Sequence, residues 1–99
     1  MQKKYKIQIT NSAGRDLDEI WEYIALDNRN AAVRFIKKLE TAVKSLGRFP
    51  HRNSIIPESE IIGKEYRHAI IDNYRVVYRV FEKTVFIMRI VHSARLLDL

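Results

Sequence analysis

The sequence predicts an α+β domain: an N-terminal strand, an antiparallel helical hairpin and then a three-stranded antiparallel meander, with the helices packed on one face of a single twisted sheet. Three observations lead there. Apolar residues alternate at period two over residues 5–9, recur at helical spacing over residues 13–46, and return to period two, broken by two-residue turns, over residues 66–91. A chain of 99 residues, 46% hydrophobic, has room for one domain spanning 1–99 and one modest core.

The elements follow in order. Tyr5, Ile7 and Ile9 alternate with Lys4, Lys6 and Gln8 as a half-buried strand does, and Asn11-Ser12 then offer a helix N-cap. Ala13, Leu17, Ile20, Trp21 and Ile24 form one helix face, with Arg15, Asp16, Asp18, Glu19 and Glu22 on the other. Asp27-Asn28 breaks this helix and can cap a second, whose stripe is Ala32, Phe35, Ile36, Leu39, Ala42, Val43 and Leu46; Gly47 suits its C′ position. So short a turn makes the two helices antiparallel neighbours. Residues 48–65 carry Pro50, Pro57 and Gly63 without sustained periodicity and read as a loop with room for a short helical turn, the segment expected to be most mobile. Residues 66–71, 74–81 and 85–91 read as strands, joined by turns at Asp72-Asn73 and Glu82-Lys83.

Composition narrows the partners. Eighteen Lys and Arg against 12 Asp and Glu give a net charge of +6, which suits RNA, DNA or an acidic protein segment. The absence of cysteine excludes disulfides and thiolate metal sites, and His51, His68 and His92 fall on separate elements without ligand spacing, so no metal or cofactor is expected. Neither a signal-peptide h-region nor an apolar run of spanning length is present; the expectation is a soluble cytoplasmic protein with no membrane association.

In the strand 74–81, Tyr74, Val76, Tyr78 and Val80 should face the helices, leaving Arg75, Val77, Arg79 and Phe81 on the other, at least partly open face. Arg75 and Arg79 there can grip phosphates or paired carboxylates, or simply solubilise the face or bond a neighbouring Asp or Glu. His92 closes the last strand with Arg95 three residues on, while Arg67 and His68 sit on the strand entering the first hairpin. A histidine beside arginines can move a proton on a phosphodiester, or can be structural and bond a backbone carbonyl. Tyr66, Tyr74 and Tyr78 can stack on bases, although their alternate spacing favours the core. The helix carrying Trp21 can bury its stripe or expose part of it to a partner.

Leu17-Asp18-Glu19-Ile20-Trp21-Glu22-Tyr23-Ile24-Ala25, the 35–46 helix, Phe49-Pro50, Tyr74-Arg75-Val76-Val77-Tyr78-Arg79-Val80 and Arg89-Ile90-Val91-His92-Ser93-Ala94-Arg95 together resemble the RelE/ParE toxin superfamily of bacterial type II toxin-antitoxin modules. The Trp-x-Tyr-Ile-Ala, Phe-Pro and Val-His-x-Ala-Arg pieces look closer to the ParE branch. The resemblance implies a growth-inhibiting toxin held in a hetero-oligomer by a cognate antitoxin, whose acidic segment covers the basic face; Arg67, Arg75, Arg79, Arg89 and Arg95 are the candidate residues for binding nucleic acid or the antitoxin. ParE-like members inhibit DNA gyrase, whereas RelE-like members are metal-independent ribonucleases that cleave mRNA in the ribosome. For the nuclease, Arg75 matches the strand arginine used on the scissile phosphate, Arg95 falls near the C-terminal catalytic arginine, and His92 resembles the late histidine of related enzymes. Arg67 and His68 are weaker catalytic candidates; the paired lysines of RelE find only Arg67 and Ala69 here and its late tyrosine is missing, so the proton-transfer set is incomplete by the RelE pattern. Gyrase inhibition is the expectation that results, with the mRNA nuclease as alternative and a non-toxic antitoxin-binding domain as a third class.

Overall fold

The computed structural model describes residues 4–93. Along them run β1 (Lys6–Ile9), α1 (Asn11–Asp27), α2 (Arg29–Ser45), a 3-10 turn at Pro50–Arg52, α3 (Ser59–Ile62), β2 (Arg67–Ile71), β3 (Tyr74–Phe81) and β4 (Thr84–His92). The strands form one sheet in the order β1-β4-β3-β2, the last three antiparallel and β1 parallel to β4, so the first and last of the described strands are neighbours. The α1–α2 hairpin is the crossover that a parallel pairing needs.

Local chemistry sets the boundaries. The N-cap of α1 is Thr10, one residue before the expected Asn11-Ser12: its extended backbone lets Oγ1 accept the Ala13 amide at 3.3 Å. The same hydroxyl lies 2.8 Å from the Ile87 carbonyl, tying the helix start to β4. Asn28 ends α1 through its amide and begins α2 by accepting the Ala31 amide at 3.0 Å. Gly47 does follow the C-cap of α2, but for reasons of space. A Cβ there would stand 3.2 Å from the Tyr5 carbonyl, and the Tyr5 amide donates to Gly47 O at 2.7 Å, so β1 enters across a bare backbone. Both hairpin loops open on a residue at φ 54°, Asp72 and Glu82, the sign that primed two-residue turns require.

Two apolar layers result. Ala13, Ile20, Leu39, Val43 and Leu46 from the helices pack on Val76, Tyr78, Val85, Ile87 and Ile90 of the sheet; each fully buried aliphatic side chain contributes about 1.5–3 kcal/mol. The second layer lies across the sheet, where Ile56, Tyr66 and Val77 form a small cluster with Ile62 and Met88 packed against it. Part of the face expected to be open is therefore roofed by the 53–66 segment. The Ile56 amide donates to the Tyr66 carbonyl at 2.9 Å, and His68 N to Ser54 O at 3.2 Å, pinning both ends of that roof.

A bulge breaks the β3–β4 ladder: Val77 faces Arg89 but Tyr78 faces Ile87, leaving Met88 as the extra residue. Met88 joins the second layer, and Arg89 reaches Asp16 on α1 with Nε at 2.8 Å and Nη2 at 3.1 Å. Asp16, assigned by helical spacing to the polar face, is in fact buried and also accepts the Ile90 amide at 2.9 Å.

Candidate functional site

Arg75 leaves β3 on the face away from the helices, as alternation requires, yet it is only 4% exposed. The 53–66 roof brings Glu58, the N-cap residue of α3, against it: Nη1 donates to Oε1 at 3.2 Å and Nη2 donates to Oε2, a two-pronged guanidinium–carboxylate pair. His68, opposite Val77 on β2, places Nδ1 3.5 Å from Nη1 of Arg75. The result is a buried centre of guanidinium, carboxylate and imidazole. Sequence reasoning allowed a neighbouring acid for Arg75 without choosing one. Glu58 carries no periodic signal, and only the folding of its loop selects it.

Burial lowers the pKa of His68, the Arg75 charge lowers it further, and Glu58 partly opposes both. An unfolded histidine, titrating near 6.5, therefore binds a proton that the native site resists, so stability falls as pH drops through 6.5 toward the lowered native value. Urea unfolding of wild type from pH 7.5 to 5 should show this loss, and His68→Gln should flatten it; equal slopes would mean that His68 does not titrate differently on folding.

The other basic residues are dispersed. Arg67 fastens the loop before β2, donating to Asn53 O at 2.6 Å and His51 O at 3.2 Å and pairing with Glu65 at 2.9 Å. Its strand neighbour Tyr78 donates its hydroxyl to Pro50 O and accepts from Asn53 Nδ2 at 3.1 Å; burial raises the phenol pKa. Arg79 is part-exposed, its guanidinium 5.6 Å from the Phe81 ring centroid, and Arg89 is committed to Asp16. His92 lies opposite Tyr74, which packs in the helix-side layer, with the two rings 5.6 Å apart. The fold thus gathers Arg75 with His68 and Glu58, but holds His92 on the opposite face of the sheet. Arg95 lies outside the described residues. Tyr66 and Tyr78 are buried. Among the described residues, no helix is long and apolar enough to cross a membrane.

This constellation can be set beside known proteins. The family model described as the ParE toxin of the type II toxin-antitoxin system parDE matches residues 7–97. The chain belongs to the ParE toxin family. Its fold is that of a chain in the chromosomal ParDE system from P. aeruginosa, at a TM-score of 0.73 and 24% identity over 91% of this chain and 97% of the other. A chain of the RelBE2 toxin-antitoxin complex from Mycobacterium tuberculosis is similar at a TM-score of 0.62 and 26% identity, over 93% and 94%. No curated protein matches. This ParE-family chain is accordingly a toxin of a type II system within the ParE/RelE superfamily.

Proposed function

We propose that this toxin arrests growth by inhibiting DNA gyrase in the cytoplasm, and that a cognate antitoxin with an acidic segment neutralises it within a hetero-oligomer. The net charge of +6 supports an acidic antitoxin segment, as does the resemblance to chains solved within toxin-antitoxin systems. The choice of target rests on the separation of His92 from Arg75. A phosphodiesterase built on these two would need both at one phosphate, yet Tyr74 holds His92 on the helix side while the Arg75 fork is filled by Glu58 across the sheet. A second reading, ribosome-dependent mRNA cleavage, is favoured by the approach of His68 and Glu58 to Arg75, which would supply proton carriers beside a charge that stabilises a phosphorane.

Inducing the toxin without antitoxin, and following labelled thymidine and methionine incorporation over the first minutes, separates the readings. Thymidine incorporation should fall first, with the SOS response induced, protein synthesis preserved and His92→Ala still toxic. Early collapse of methionine incorporation that His68→Gln abolishes would replace this reading with the nuclease. Unimpaired growth would leave only an antitoxin-binding domain.

A further inference from the structure

β2 begins at Arg67, opposite Tyr78, so the last three residues of β3 run on with no strand beside them on that edge. The space left there is a cleft of about 370 Å³, lined by His51, Lys64, Glu65, Arg67 and Arg79 among others. Three cations and one imidazole therefore face one carboxylate, and that carboxylate is taken by Arg67 at 2.9 Å. Among the described residues, neither Lys64 nor Arg79 has a carboxylate partner. Cations gathered in a concave site with low-dielectric walls focus a positive potential and favour an anion there.

The surroundings of Arg79 narrow that anion. Its guanidinium carbon stands 5.6 Å from the centroid of Phe81, a ring 52% exposed at the strand end, and Phe86 lies directly opposite Arg79 on β4. A guanidinium resting on a ring keeps its N–H fork free to meet a phosphate, while the exposed ring offers a face on which a base can stack. Cation and open aromatic side by side are what single-stranded nucleic acid uses, whereas an acidic peptide would use the charges alone. Four residues along β3 separate Arg79 from Arg75, about 13 Å at the strand rise, so this cleft is distinct from the buried Arg75–Glu58–His68 centre.

We propose that this cleft binds single-stranded nucleic acid, Lys64 and Arg79 holding phosphates and Phe81, beside the cleft, stacking a base. The proposal is independent of the growth target, because its readout is binding and not toxicity.

Fluorescein-labelled oligo(dT) and oligo(U) twelve-mers, titrated with the full chain and followed by anisotropy between 50 and 200 mM salt, test it. Binding should saturate and weaken with salt. Arg79→Gln and Lys64→Gln should each weaken it several-fold and reduce the slope of log K against log salt by about 0.7. Phe81→Leu should weaken binding about fivefold to a hundredfold with the slope unchanged, since stacking releases no counterions. Arg79→Lys should keep the slope, and Lys37→Gln, on the exposed side of α2, should change little. The proposal is overturned if binding does not saturate at 50 mM salt, or if Lys37→Gln costs as much as Arg79→Gln. It is equally overturned if a twelve-residue polyglutamate displaces the oligonucleotide at equal concentration while Phe81→Leu has no effect; the cleft would then be an acidic-peptide site.

Discussion

Replacing Glu58 with alanine is expected to destabilise the protein by about 3–5 kcal/mol, the usual consequence of removing one partner from a buried ion pair. Arg75 is 4% exposed, and the 53–66 segment that supplies Glu58 also carries Ile56 and Tyr66 of the second apolar layer. The mutant must therefore keep a buried guanidinium that has lost its two-pronged carboxylate or surrender the second apolar layer. Neither route is cheap in a 99-residue chain whose total stability is on the order of 5–15 kcal/mol. The double variant Glu58→Leu with Arg75→Met should recover most of the loss, since replacing the whole pair by apolar residues of similar volume is often neutral or stabilising. Urea midpoints for wild type, Glu58→Leu, Arg75→Met and the double variant close the cycle, with Glu58→Ala measured beside them. If Glu58→Ala costs under 1 kcal/mol and the double variant restores nothing, the pair does not hold the roof.

This pair also marks where the sequence stopped being legible. Helices α1 and α2 and strands β2 to β4 could be read within a residue or two because their signals are local: a stripe at helical spacing, alternation, an Asn28 cap, two-residue turns. The parallel pairing of β1 with β4 has no local signal, because the partners are separated by nearly the whole chain and meet only once the hairpin has crossed over. The buried acids fail for a related reason. Helical spacing sorts residues by apolar character, so it put Asp16 in solvent; what buries Asp16 is Arg89, 73 positions away. One clue to that contact was present. Strict alternation from Val85 through Ile87 should continue at residue 89, yet the next buried position on that face is Ile90, and the break in phase marks the bulge that turns Arg89 toward α1. The candidate site was legible to the same degree. Arg75 was identifiable as an arginine that needs a partner or an opening, but the identity of the partner, and the separation of His92 from it, depend on a loop and a strand phase.

Asp16→Ala is the second substitution with a large expected effect, about 2–4 kcal/mol. The Asp16 carboxylate serves three donors at once: Nε and Nη2 of Arg89, and the buried amide of Ile90 at 2.9 Å. Alanine leaves that amide without its acceptor just where the bulge has already interrupted the ladder, and takes the carboxylate from the Arg89 guanidinium. Asparagine should cost roughly half as much, because its carbonyl can still accept from the Ile90 amide while the charge pairing with Arg89 is lost. Hydrogen exchange gives the local test. In Asp16→Ala the Ile90 amide should exchange faster than expected from the global loss of stability alone, whereas in Asp16→Asn it should follow the global change. Unchanged protection of Ile90 in the alanine variant, together with an unfolding free energy within 0.5 kcal/mol of wild type on the usual scale of surface substitutions, would mean that the carboxylate does not lock α1 to the bulge. The larger consequence concerns the sheet. With Arg89 released, Met88 loses the turn of backbone that directs it into the Ile56–Tyr66–Val77 cluster, so disturbance on the helix side should be felt at the roof over Arg75.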